Sequence, residues 1–292
     1  MKVFAKSMII NLASEFSLHR LLMLTIIFSL IGLNTGCEYT DFALGEHYMP
    51  IDEVPGNSWD MLVMALSGPA RENLLGWIRW FTPFVLMVLF FGNSARNELF
   101  KRPELVMRYK SRTEWWLSKM LGTAMAICVF WITGFFILEV ISLLFGSWSA
   151  GWSERLLSGK LFNAYQLLIT TNEWFAAHSP YEYLFILLIL YSTGSLAMAT
   201  FINCSTLLFR NSYTVPLITL LLYFSTAHMG CFVDRFTSRW LPGTQLVFAR
   251  QIDASRTILR WPLLFNITWI TCCLFIGAII LNRIDIFTQK SD

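Results

Sequence analysis

Few side chains in this sequence have both the type and the setting to do chemistry. Within its apolar stretches stand one clear acid, Glu139, one arginine, Arg79, and one histidine, His228. Between two of those stretches runs a dense basic segment, 93–119, carrying Glu98, Arg102, Arg108, Lys110, Ser111, Arg112 and Lys119. A lone carboxyl or imidazole can move a proton, but nucleophilic or metal chemistry needs partners at fixed spacing. Those spacings are missing: there is no H-E-x-x-H, no G-x-S-x-G and no G-x-x-x-x-G-K-[ST] phosphate loop. A haem between spans would need a second histidine at matching depth. The six cysteines form no C-x-x-C pair, so neither zinc nor thiol redox chemistry is expected. Cys37 and Cys231, each near the end of an apolar stretch, are the two that could meet. No basic stripe lies on a soluble module, so nucleic acid is excluded as a partner. The chain is therefore expected to be neither an enzyme nor a cofactor carrier.

The three intramembrane polar residues need each other instead. A charge at mid-helix costs about 2.5–3.5 kcal/mol on insertion scales, so Glu139 should be paired or neutral. Counted inward from the ends of their stretches, Arg79, Glu139 and His228 share one depth. Arg79 is the first choice of partner because a guanidinium fork matches a carboxylate, His228 is the second, and a protonated Glu139 the third. Such a pair would either gate a path or hold two helices in register.

The elements that carry these residues follow from composition. Of 292 residues, 55% are hydrophobic and 14% charged, where soluble domains carry about 25% charged residues. The mean hydropathy is +0.55. Apolar blocks near the length that crosses about 30 Å of hydrocarbon predict an all-α, polytopic helix bundle, one transmembrane domain over 1–292. Six spans are expected at 21–36, 74–92, 116–146, 182–209, 213–232 and 261–281, preceded by an interfacial amphipathic helix within 1–20. Ser111 with Glu114, and Ser179 with Pro180 and Glu182, mark two helix starts. Span four is rich in small residues (Ser192, Gly194, Ser195, Ala197, Ala199), which predicts a place inside the bundle. Trp115, Trp116, Trp148, Trp152, Trp174, Trp240 and Trp261 lie near span ends, where indoles favour the membrane interface.

Orientation follows from lysine and arginine. With the N-terminus inside, twelve fall in inner segments and eight in outer ones, which places both termini in the cytoplasm of a multi-pass cell-membrane protein. The outer segment 37–73 carries seven acids against Arg71 alone, whereas 233–260 carries five arginines against two acids. The apolar residues of 233–260 predict short helices dipping back into the outer leaflet before span six. Four cations of the inner loop, Arg102, Arg108, Lys110 and Arg112, would also suit anionic lipid.

The segment 93–119 resembles the cytoplasmic loop of type-2 ABC exporter permeases. In that family an acid follows span two, a coupling helix leads to a Ser-Arg pair, and a lysine opens span three. Glu98, Ser111-Arg112 and Lys119 occupy those places, and the plan of an interfacial helix, six spans and outer short helices is similar. The acidic outer segment after span one departs from the commoner pattern.

The resemblance implies a membrane-spanning subunit that pairs with itself or a sister permease. It also implies ATP hydrolysis on a separate ABC ATPase subunit, coupled through Glu98, Arg102, Arg108, Lys110, Ser111, Arg112 and Lys119. Spans poor in polar groups suit an amphiphilic cargo, such as a peptide or lipid-like molecule, better than an ion or sugar. The rival expectation is a non-transporting immunity or sensor protein that binds an extracellular peptide through the acidic segment 37–73.

Overall fold

The computed structural model describes residues 17–43, 56–68, 74–92, 94–101, 103–107, 109–159, 161, 173–209, 213–230, 232–233, 235–251 and 259–283. Arg102, Arg108, Cys231 and nearly all of the expected interfacial helix lie outside the described residues. All regular structure among the described residues is helical.

Long apolar helices form the frame: α1 (Leu18–Ala43), α3 (Leu74–Phe91), α6 (Arg112–Phe145), α9 (Pro180–Leu208) and α13 (Arg260–Arg283). These five are long and apolar enough to cross a membrane. The fifth expected span is a shorter apolar helix of 16 residues, α10 (Thr214–Met229). Short elements join them: α2 (Ser58–Leu66), α4 (Ser94–Lys101), α5 (Pro103–Val106), α7 (Glu154–Leu157), α8 (Glu173–Ala177), α11 (Arg235–Ser238), a 3₁₀ turn (Pro242–Leu246) and α12 (Phe248–Gln251).

The helix starts obey their capping residues. Ser179 accepts from the Glu182 amide, Glu182 answers to the Ser179 amide, and Pro180 fills the first helical position. Ser111 caps α6 by accepting from the Glu114 amide at 3.0 Å. The Glu114 carboxylate reaches one residue further back, to the Lys110 amide at 3.2 Å.

α9 sits at the centre, packed against α13, α6, α10 and α3. Its small residues Ser192, Gly194, Ser195, Ala197 and Ala199 are buried, letting neighbouring backbones approach. At one end of the bundle, called here the base, α1 begins and α3 finishes, with Arg20 lying 5.6 Å over the Phe90 ring. At the opposite end, the cap, α1 and α6 finish and α9 begins.

At the cap, the described parts of the expected outer loop 37–73 are largely helical. α1 continues through Cys37–Thr40 to Ala43, and 58–66 is a helix whose nine residues are all buried. Asn57 and Asp60 form its capping box, the same chemistry as at Ser179. The C-terminal end of α2 is tied to α9: the Tyr191 hydroxyl donates to the Leu66 carbonyl, and Ser67 Oγ lies 2.9 Å from the Tyr183 hydroxyl. Rings fill the space behind, with Trp152 against Phe175 at 5.0 Å and Tyr183 against Phe248 at 4.9 Å. Between α10 and α13, the 3₁₀ turn packs on α10, α9 and α13. There the Gly243 amide donates to Thr226 Oγ1 at 2.9 Å.

Candidate functional site

At the base, α3 gives way to α4 around Gly92, and the break is held by one side chain. Asn203 of α9 accepts from the Ala95 amide at 3.0 Å and donates to the Phe91 carbonyl at 2.9 Å. It thereby bridges backbone groups on both sides of the break, and backbone polar groups in an apolar setting need such partners. Asn203 is fully buried. An asparagine inside an apolar run was the available signal for it, since polar groups there are rare unless used.

From α4, Glu98 reaches α6. One carboxylate oxygen pairs with Lys119 Nζ at 2.9 Å, and the other accepts from the Trp115 indole at 3.0 Å. The two charged side chains are only 11% and 4% exposed. Burial makes such a pair sensitive to loss of either partner and far less screened by salt than a surface pair.

From α6, two residues reach α13. Arg112 donates to the Leu281 carbonyl at 3.0 Å, in the last turn of α13, where orphan carbonyls favour a cation. The Trp116 indole donates to the Leu274 carbonyl at 3.1 Å. Trp116 lies on Gly277: a Cβ there would stand 2.5 Å from the Trp116 ring, so only glycine admits the contact. α4, α6, α9 and α13 are thus joined by specific polar contacts at this end.

The structure therefore sorts the residues expected to meet an ATPase. Glu98, Arg112 and Lys119 are turned inward, as braces, and Ser111 is the helix cap. Lys110 is exposed, as are Glu104 and Met107 of the same segment. Arg102 and Arg108 lie outside the described residues. Trp115 and Trp116 are fully buried, which corrects their reading as interfacial anchors. Trp148 and Trp240 are exposed.

The intramembrane pair is also corrected. Arg79 pairs with Glu38, not with Glu139. The reason is the length of α1: its helix runs past the apolar stretch and carries Glu38 to the flank of α3, where a pairing with a consecutive helix was expected. Glu139 is half-buried, and its main-chain carbonyl accepts from the Ser142 hydroxyl. His228 packs edge-on against Trp77 at 5.0 Å and Phe232 at 5.1 Å. Cys37 is a free, exposed thiol, and its expected neighbour Cys231 is outside the described residues.

Over residues 22–287 the sequence matches the family described as protein of unknown function, DUF2705. No curated protein matches it, and no solved structure does.

Proposed function

The chain belongs to the DUF2705 family, and we propose from its own geometry that it is the permease subunit of an ATP-driven ABC transporter. In this reading it spans the cell membrane six times with both termini inside, α10 being the fifth span. It pairs with a second copy or a sister permease and moves an amphiphilic molecule such as a peptide. A separate ATPase subunit binds the ATP.

The observation that carries the reading is α6. Its 34 residues run without a break from the base to the cap, about 51 Å at about 1.5 Å per residue, against about 30 Å of hydrocarbon. At its base the Glu98–Lys119 pair and the Trp115 indole fasten it to α4. A push on the α4–α5 segment therefore reaches α6 through charged, buried contacts rather than through a loose loop. The buried braces make the lever stiff, and exposed Glu104, Met107 and Lys110 offer the face on which an ATPase would act. The rival sensor reading would use the acids of 37–73, and the two whose side chains are described, Glu38 and Asp60, are engaged in internal contacts.

The test spares Arg112, because reversing it would also break the tie to α13. In the Arg108→Glu, Lys110→Glu double variant the chain should insert normally while an ATPase subunit no longer co-purifies. Amphipathic peptides that stimulate ATP hydrolysis by the reconstituted parent complex should lose that effect. Recovery of no ATPase with the parent chain, or normal stimulation in the variant, overturns the proposal.

A further inference from the structure

The cap contains a buried charged cluster that the proposed transport function does not use. Asp60 is 0% exposed. Its carboxyl accepts from the Ser153 hydroxyl, from the Asn57 amide at 3.2 Å and from the Tyr39 hydroxyl at 3.4 Å. Arg155, also buried, lies 5.6 Å over the Tyr39 ring. All three side chains converge on Gly56: a Cβ there would collide with the Tyr39 hydroxyl and stand 2.8 Å from Asp60 Oδ2 and 3.2 Å from Arg155 Nη1.

These residues come from three separate stretches: the end of α1, the start of α2 with the residues before it, and the segment after α6. Around them the second and third stretches are stitched together. The Ser58 amide donates to the Ser147 carbonyl at 3.1 Å, the Trp59 indole to Ser149 at 2.8 Å, and the Asn57 side chain to Gly151 at 2.9 Å. Asp60 is the one charged member of α2, and it sits where the three stretches meet.

We propose that Asp60 is a proton-linked latch of the cap: taking up a proton there tightens the junction of 56–68 with 147–157, and losing it loosens the junction. An ionised carboxylate withdrawn from water is costly unless its partners fully replace its hydration. Here burial pushes the Asp60 carboxyl up to about 6, outweighing the opposing Ser153 and Asn57 bonds, the Arg155 charge and the Tyr39 bond.

Among the described residues, the groups acting on Asp60 are few. α1 presents Tyr39, and the stretch after α6 presents Arg155. Residues 146–152 carry no charge, and Glu154 is exposed. α6 and α3 also pack on α2, but Glu139 of α6 does not act on the carboxyl and Arg79 of α3 is engaged by Glu38.

The sign follows. In an opened, hydrated cap the carboxyl titrates near about 3.9, whereas in the closed cap it holds its proton up to about 6. The closed form is therefore favoured most below the lower value and loses that advantage as pH rises through the higher one. Mild acid tightens the cap and neutral pH relaxes it.

Hydrogen–deuterium exchange of the full-length protein in lipid nanodiscs tests this without reference to transport. Exchange is corrected for its intrinsic pH dependence, and peptides from α9 serve as the internal standard. Opening of 58–66 should increase on the order of tenfold from about pH 4.5 to about pH 8, with α9 unchanged. In Asp60→Asn the profile should be flat. Ser153→Ala removes a donor to the charged form, so the midpoint should move to higher pH. A flat or inverted profile in the parent, or an unaltered profile in Asp60→Asn, overturns the latch. Should Asp60→Asn fail to insert, an unmoved midpoint in Ser153→Ala overturns it equally.

Discussion

Lys119 and Glu98 show what a charge pattern in a loop can become once helices pack. Both carry charges in a segment whose composition suggests a docking face, yet each is withdrawn from water by the other. Because the pair is buried, the two single losses should cost more than the double loss. Lys119→Met strands the Glu98 carboxylate against the Trp115 indole and is expected to lower stability by about 3–5 kcal/mol. The Glu98→Gln, Lys119→Met double variant should recover a large part of that loss, as read from denaturant unfolding in detergent followed by tryptophan fluorescence. Additive losses would mean that the two charges do not support each other. Arg79 follows the same physics with a different partner: it satisfies a carboxylate, but the one that α1 delivers.

Among elements, the junction of α6 with α13 is decided by a missing side chain. Gly277 lets the Trp116 ring lie against α13 and donate to the Leu274 carbonyl. Gly277→Val would force the ring aside, with an expected loss of about 1–3 kcal/mol from overpacking and a weakened tie at Arg112. Combining it with Trp116→Leu should relieve the clash while forfeiting the indole bond, so the double variant should be more stable than Gly277→Val alone. Thermal unfolding of the three proteins checks the order, and a double variant no better than Gly277→Val would place the constraint elsewhere. α2 gives the complementary lesson. Its capping box at Asn57 and Asp60 precedes an unbroken apolar run, Met61–Leu66, and both are visible in the sequence. Surrounded by acids, the run reads as part of a loop, and only its burial against α6 and α1 makes the helix persist.

For the whole molecule, the alternation of long helices sets base and cap at opposite ends, and the proposed orientation places the base inside. A reporter active only in the cytoplasm, fused after Asp292, should be active; activity confined to an exported reporter would invert the assignment and move the 94–119 segment away from any cytoplasmic ATPase. The residue order by itself determined where the six apolar helices lie. Hydropathy is summed over about 20 residues, so errors of a few positions do not alter it. It also determined two helix starts and the small-residue face of α9, because caps and close-packing residues act locally or by size. Only the tertiary structure decided which polar groups meet. Pairing depends on how far each helix continues beyond its apolar stretch and on how it is rotated, and neither is set by composition. Two further turns of α1 brought Glu38 to Arg79 and Tyr39 to Asp60. The turn of α9 that carries Asn203 fixed the break between α3 and α4. In each case a local pattern supplied the group, and long-range packing supplied its partner.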